Sequence, residues 1–211
     1  FLFIVFTING FSQGLMEDKL LPTRQDTLRG SITPERGWWD LTYYHLDIKV
    51  DPDKKYISGS NTVGYKVLKS YKTMQIDLQE PMKITSVKAD GKSLEFKRDG
   101  NAYFIELKQK QKKNDINYIK INYEGFPKEA IRAPWDGGLS WTKDENGNHF
   151  IATSCQGLGA SVWGPNKDHI TAEGDSVRMG YTVPSKVVGV GIGKLQSVNT
   201  VSYTHLRAHE T

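Results

Sequence analysis

The sequence contains a single cysteine, Cys155, among its 211 residues. An internal disulfide and a cysteine-based zinc cluster are therefore both excluded. Long apolar runs are also missing, since the run at residues 1–8 falls well short of the ~20 residues that span a bilayer. No segment repeats along the chain, which disfavours propeller and solenoid folds. With 37% hydrophobic residues, the chain is expected to fold around one sizeable core or two small ones.

An excess of one charge is lacking as well, because 28 basic residues stand against 24 acidic ones. The one basic run, at residues 108–113, lies between predicted strands and precedes Asn114 and Asp115. This position is typical of a solvated hairpin turn, and no nucleic-acid-binding motif accompanies it. Nucleic acid is therefore not expected among the partners.

Helical periodicity is absent too, since no twelve-residue segment carries a convincing apolar stripe. From residue 38 onward the dominant period is two, which is typical of half-buried strands. Asp-Gly pairs at 90–91 and 99–100 predict tight hairpin turns. Many short strands with closely spaced turns predict an all-β fold, an antiparallel β-sandwich or a saddle-like sheet. The alternation assigns the following side chains to the core: Tyr44, Leu46, Ile48, Val63, Tyr65, Val67, Ile76, Leu78, Ile105, Leu107, Ile119 and Ile121.

The amino-terminal end is expected to lie outside this β-domain, which we place at residues 38–200. Residues 1–14 resemble the apolar region and small-residue exit of a secretory signal, and a buried strand is the alternative. A signal in a chain without disulfides predicts export to a bacterial periplasm or cell surface. Residues 15–37 contain Pro22, Gly30 and Pro34 and are expected to form an extended lead-in.

Residues 201–211 resemble translated sequencing-adaptor sequence and lack the alternation of the preceding segment, so we expect a non-native tail. His205 and His209 would share one face of a helix, as metal ligands spaced by four residues do. The residue after His205 is Leu206, however, where a zinc protease carries its general-base glutamate. With no third ligand in view, we predict no metal site in this segment.

Residues 125–148 are rich in glycine and aromatic residues, so we expect loops there, where binding sites are common. Strands are expected to resume at 150–154, 177–183 and 187–190. Residues 150–169 combine a short strand, a loop with Gln156, Gly157 and Gly159, and a turn that begins at Trp163. The glycines allow positive φ or close approach of the backbone to a ligand.

Three stretches resemble the N-terminal domain of M1-family, aminopeptidase N-like zinc metallopeptidases, over roughly residues 40–200. They are the opening strand 41–50 with residues 57–62, the segment around Gln156, and the Val-Pro segment at 181–195. The resemblance implies a β-domain flanking a zinc-binding catalytic domain. The His-Glu-x-x-His motif of that catalytic domain occurs nowhere in the 211 residues. Zinc is therefore expected in the catalytic domain of a parent enzyme, and no cofactor is expected in this chain.

The resemblance also implies a function, the removal of N-terminal amino acids from peptides, to which this domain contributes part of the substrate site. At the position of Gln156 the family carries a Glu or Gln that helps to bind the free amino end of the substrate. An ammonium group entering a partly desolvated cleft needs oxygen acceptors, and the Gln156 amide offers one. Gln156 and Gly157 are the predicted substrate-binding residues. The expected partners are a peptide N-terminus and the catalytic domain.

Two alternatives stay open for this region. The Gln156 amide is also suited to capping backbone groups of its own loop. Trp135, Trp141 and Trp163 are suited to a platform for a sugar ring. Such a platform would make the domain a secreted β-sandwich binding module for carbohydrate or a surface partner.

No catalytic residue is predicted in this chain. Cys155 is expected to be a small buried residue, because neither His149 nor His169 can be placed beside it as a base from the sequence. Asp168 is expected to accept hydrogen bonds that fix the turn after Trp163.

Overall fold

A computed structural model describes residues 21–200 and 203–210, so the predicted signal segment 1–14 lies outside the described residues. No helix in the described part is long and apolar enough to cross a membrane. The elements are α1 (Arg24–Gly30), α2 (Pro34–Gly37), β1 (Trp39–Asp51), β2 (Tyr56–Val67), β3 (Thr73–Asp77), β4 (Lys83–Ala89), β5 (Lys92–Ser93), β6 (Glu95–Asp99), β7 (Ala102–Glu106), β8 (Ile116–Gly125), β9 (Gly138–Lys143), β10 (His149–Ser154), a 3₁₀ turn (Ala160–Val162), β11 (Ser176–Pro184), β12 (Lys194–Thr200) and β13 (Tyr203–Glu210).

The described strands form three sheets. An eight-stranded sheet has the order β12-β13-β11-β1-β2-β8-β4-β5, a three-stranded sheet has the order β3-β7-β6, and β9 pairs with β10 as a separate hairpin. All ladders are antiparallel except the one between β1 and β11, in which Leu46 lies opposite Met179. The predicted all-β fold is confirmed, and the parallel ladder makes the large sheet a mixed one.

The main hydrophobic core lies between the three-stranded sheet and the eight-stranded sheet. Its largest members, Trp38, Trp39, Tyr65 and Tyr123, are fully buried. Every side chain that the alternation assigned to the core is buried, except that Tyr44 is half-buried and packs against its margin. Each buried aliphatic side chain stabilises the fold by about 1.5–3 kcal/mol, so the period-two pattern determines which face turns inward.

A smaller apolar cluster continues along the same face of the large sheet, where β1 meets β11. Leu46, Ile48 and Met179 form its buried part, and Trp163 and Tyr181 pack against them. This cluster connects the sheet to the loop that follows β10.

Helices replace the extended lead-in that was predicted for the described part of residues 15–37. Thr23 caps α1 reciprocally, since its hydroxyl accepts from the Asp26 N–H at 3.2 Å and its own N–H donates to the Asp26 carboxylate at 2.8 Å. Pro34 occupies the first turn of α2, and Gly30 ends α1. Proline at a helix start and glycine at a helix end are favourable, so the residues that suggested a loop are helix boundaries.

The predicted strand at 187–190 is wrong, because pairing resumes only at β12. Strand β9 is the opposite case, since it forms in the region expected to be loops. The Asp144 carboxylate accepts from the N–H groups of Asn146 at 2.9 Å and Asn148 at 2.8 Å. These bonds fix a tight turn that folds residues 138–143 back onto β10.

Residues 203–210 form a strand between β11 and β12, although no alternation was expected in this segment. Thr204, Leu206 and Ala208 are buried, whereas His205 and Arg207 are exposed, so the period is two. The helical face expected for the two histidines is therefore wrong. The adaptor-like origin of this segment stays a prediction.

Candidate functional site

Gln156 lies in the loop directly after β10. The loop starts where the Ser154 hydroxyl donates to the Pro134 carbonyl at 2.5 Å, and it closes where the Gly159 N–H donates to the Cys155 carbonyl at 2.9 Å. Gln156 is exposed, and its amide makes no hydrogen bond to any described residue. The alternative role as a backbone cap is therefore not realised in this structure.

The backbone that follows Gln156 is held by side chains from distant parts of the chain. The Arg29 guanidinium of α1 donates to the Gly157 carbonyl. The Gln79 amide donates to the Leu158 carbonyl at 2.6 Å and to the Ser161 hydroxyl at 2.8 Å. These donors fix the backbone of the loop while the Gln156 side chain stays in solvent.

Glycine is required at two positions of this loop. Gly157 has φ +72° and Gly159 has φ +77°, in the region that side chains with a Cβ rarely adopt. A Cβ on Gly159 would collide with the Asp168 carboxylate. A Cβ on Gly157 would have no atom within 4 Å among the described residues, apart from those of its two chain neighbours. Gly159 thus admits the carboxylate, and Gly157 leaves open space beside Gln156.

Asp168 links the loop to the interior of the domain. Its carboxylate accepts from the Ser161 hydroxyl at 2.5 Å, as expected of a turn-fixing acceptor. Its N–H donates to the Asp77 carboxylate at 3.0 Å. Asp77 also pairs with the fully buried guanidinium of Arg36 at 2.6 Å. Burial raises the pKa of the Asp77 carboxyl, and the Arg36 charge acts against that rise.

Lys167 anchors the same segment from the other side. Its Nζ donates to the Trp39 carbonyl at 2.7 Å and lies 4.2 Å from the centre of the Trp39 ring. Its N–H donates to the Tyr44 hydroxyl at 2.8 Å. Burial lowers the pKa of the Lys167 ammonium to about 8 and raises the pKa of the Tyr44 hydroxyl. A buried cation over an indole ring restricts the backbone at this position.

The turn at residues 163–166 is joined to two strands. The Asn61 amide of β2 donates to the Pro165 carbonyl at 2.8 Å. The Asn166 N–H donates to the Asp77 carbonyl at 3.1 Å, and the Asp77 N–H donates to the Asn166 carbonyl at 2.8 Å. The loop after β10 is therefore continuous with the core through both its side chains and its backbone.

The three tryptophans of this region do not form a common platform. Trp135 is 72% exposed, whereas Trp141 and Trp163 are half-buried and pack against the main core. The ring nitrogens of Trp141 and Trp163 are buried without a hydrogen-bond partner among the described residues. A stacked sugar needs exposed ring faces in one plane, and this arrangement supplies only Trp135.

The remaining reactive side chains stay apart in the described structure. His149 contacts the Asp53 carboxylate at 3.2 Å, and His169 contacts the Thr171 hydroxyl at 2.9 Å. Cys155 is half-buried rather than buried, and neither histidine bonds to it. Within the described residues, no group of three His, Cys, Asp or Glu side chains is placed to hold a metal ion.

A cavity of about 690 Å³ lies between β1, β11, the β9–β10 hairpin and residues 186–192. Its walls are mainly apolar and include Ile48, Leu139, Trp163 and Tyr181. No sequence pattern marks this cavity, because the residues that surround it come from separate stretches of the chain.

Comparison with known proteins agrees with this architecture. The profile of the Peptidase M1 N-terminal domain matches residues 41–169. No curated protein matches the sequence. Among solved structures, a variant of a two-domain M1 zinc metallopeptidase bound to L-arginine has a TM-score of 0.70 at 16% identity, over 83% of this chain and 40% of that one.

Two further structures show the same fold. An M1 zinc metallopeptidase from Deinococcus radiodurans has a TM-score of 0.66 at 16% identity, over 82% of this chain and 39% of that one. Native yeast LTA4 hydrolase has a TM-score of 0.62 at 16% identity, over 89% of this chain and 31% of that one. The chain thus spans less than half the length of each. The profile match covers more than half of the described β-domain and of the chain, and the chain belongs to the Peptidase M1 N-terminal domain family.

Proposed function

We propose that this domain contributes part of the substrate site of a zinc-dependent M1 aminopeptidase, which removes N-terminal amino acids from peptides. In the proposed enzyme the domain is joined to a catalytic domain that holds the zinc ion. The family match and the shared fold support this proposal. A similar structure from Deinococcus radiodurans is described as bound to a Tyr-Ser-Ala substrate.

The observation that carries the proposal is the contrast between Gln156 and the loop around it. Arg29, Gln79 and Asp168 restrain the backbone, yet the Gln156 amide has no partner among the described residues. Because the loop backbone is already restrained, ligand binding costs only the rotamer entropy of the Gln156 side chain, about 0.5–1.5 kcal/mol, and no further ordering of the loop. Gly157 adds open space on one side of it.

The chemistry follows from the groups that a free peptide N-terminus presents. The α-ammonium donates hydrogen bonds, and the Gln156 Oε1 atom accepts one of them. A charge-assisted bond of this kind contributes about 1.5–3 kcal/mol when water is excluded. We use the term joined enzyme for the polypeptide that contains both this domain and the catalytic domain. In the joined enzyme, this contact would orient the first peptide bond toward the catalytic domain.

Replacing Gln156 tests this role in the joined enzyme. We expect Gln156→Ala to lower kcat/KM by about 10- to 100-fold, because one acceptor for the ammonium group is lost. Gln156→Glu should preserve or raise kcat/KM, since a carboxylate is a stronger acceptor. Steady-state kinetics with aminoacyl fluorogenic substrates measures both effects.

The matched control is Gln109→Ala, which removes an exposed glutamine amide from the loop between β7 and β8. It should leave kcat/KM unchanged. An unchanged kcat/KM in folded Gln156→Ala would show that Gln156 does not bind substrate.

A further inference from the structure

Residues 187–192, which we call the apolar strip, follow β11 and have the sequence Val-Val-Gly-Val-Gly-Ile. Val188, Val190 and Ile192 are 79%, 86% and 59% exposed. No main-chain hydrogen bond to another described residue involves residues 188–192. The strip therefore presents both β-branched side chains and main-chain groups to solvent.

The glycines of the apolar strip face the opposite way. A Cβ on Gly189 would lie 2.6 Å from a methyl carbon of Leu206 and 3.2 Å from the Tyr181 Cβ, and a Cβ on Gly191 would collide with the Tyr181 ring. The period-two alternation thus places bare backbone against Tyr181 and directs the branched side chains outward. One side of the strip is packed on its own domain, and the other side is uncovered.

The apolar strip also forms one rim of the 690 Å³ cavity. Phe150 of β10, which is 60% exposed, lines the same cavity from the hairpin. Single exposed apolar residues are ordinary on protein surfaces, but contiguous ones around an apolar cavity mark an interaction surface.

We infer that the apolar strip and Phe150 form the surface on which a second domain of the same polypeptide packs. The inference rests on the proposed function, in which this domain is joined to a catalytic domain. The similar metallopeptidase structure is described as having two domains, and this chain covers 40% of it. The strip also lies outside the matched region 41–169, on its carboxy-terminal side in the sequence. An intramolecular domain meets this surface at high effective concentration, which favours it over a separate partner.

Hydrogen exchange compares the two states of the surface. In this chain alone, the amides of residues 188–192 should exchange fast and independently of protein concentration, because they have no main-chain acceptor among the described residues. In the joined enzyme they should exchange at least about 100-fold more slowly, since the packed domain excludes water.

A double variant, Val188→Lys with Val190→Lys, tests the side chains. The Tm of this chain should stay the same, because both side chains are exposed in it. The Tm of the joined enzyme should fall by about 5 °C, and the exchange protection of the strip should be lost. Ile116→Lys, at an exposed position on β8, is the control and should change neither property.

Equal exchange of the apolar strip in the chain and in the joined enzyme would overturn the inference. Protection that appears in the chain alone and grows with concentration would identify a second copy as the occupant and would also overturn it. Neither result bears on Gln156, because the kcat/KM of Gln156→Ala tests the proposed function separately. The expected outcome is protection in the joined enzyme only.

Discussion

The loop after β10 and the apolar strip after β11 both contain closely spaced glycines, and they differ in what the glycines face. Gly159 gives room to the Asp168 carboxylate, which bonds to Ser161. Gly189 gives room to the Leu206 side chain and Gly191 to the Tyr181 ring, and these two side chains offer the strip only packing. The first loop is held by directional bonds, and the second rests on an apolar surface.

This difference separates two ways in which a loop can serve a binding surface. Hydrogen bonds with fixed geometry hold the backbone from which a single polar side chain such as Gln156 projects. An apolar strip without such bonds presents an area instead, and it is suited to packing against another domain. The two segments have similar spacings of glycine in the sequence, so the side chains that the glycines contact determine which kind of surface forms.

The largest loss of stability is expected where the loop after β10, which we call the held loop, reaches the buried ion pair between Asp77 and Arg36. We expect Asp77→Ala to destabilise the domain by about 3–5 kcal/mol, because it leaves the Arg36 guanidinium buried and uncompensated. It also removes the acceptor for the Asp168 N–H. Denaturant unfolding measures the change. Asp99→Ala is the control: its pair with Arg24 is exposed, so the cost should stay below about 1 kcal/mol. Equal costs for the two variants would contradict this account of the held loop.

Substituting one glycine in each loop tests the comparison directly. We expect Gly159→Ala to cost about 2–3 kcal/mol, because φ is +77° and the new Cβ would displace the Asp168 carboxylate. Gly189→Ala should cost less, about 1 kcal/mol, since its φ is outside the left-handed region and the atom that a new Cβ would displace is the terminal methyl group of the Leu206 side chain. Thermal unfolding of both variants gives the two values. Similar values would show that the held loop is no more constrained than the strip.

The smallest effect concerns Lys167, whose pKa burial lowers from 10.5 to about 8. Between these two values the unfolded chain binds a proton that the folded chain does not, so the free energy of unfolding rises with pH. From pH 8 to pH 10, the wild type should gain about 1–2 kcal/mol relative to Lys167→Met. Urea unfolding at several pH values measures the gain. Raised pKa values of buried tyrosines affect both proteins and cancel in the difference. Parallel pH profiles would show that Lys167 remains solvated.

The sequence predicted which face of each strand is buried better than it predicted which strands pair with one another. Alternation placed Leu46 and Ile48 correctly in the interior, because burying apolar area requires only the right face. It gave no sign that β11 pairs in parallel with β1, since pairing depends on residues far apart in the chain. The N-cap at Thr23 and the proline in the first turn of α2 are recognisable in the sequence, but the prolines and glycines of the segment suggested a loop instead.

The candidate site divides in the same way. The family resemblance predicted a functional position at Gln156, and its exposure is compatible with that role. The residues that hold the loop were not predictable, because they are distant in the sequence. The hydrogen bond from Arg29 to the Gly157 carbonyl joins residues 128 positions apart, and the one from Gln79 to the Leu158 carbonyl joins residues 79 positions apart. Arg36 is a stronger case, since no local pattern marks a fully buried arginine.

The parallel ladder between β1 and β11 has a consequence for synthesis of the chain. The edge of β1 that β11 covers stays open until the ribosome has added the more than 120 residues between them. At 5–20 residues per second, that delay is about 6–25 s, which is long compared with the folding of a local hairpin. Strand β8 is added earlier and covers the outer edge of β2, so the edge of β1 is left uncovered for longer, and uncovered edges pair with other chains. The large sheet of this domain is thus completed late, and a chaperone that binds extended segments would meet it at that edge.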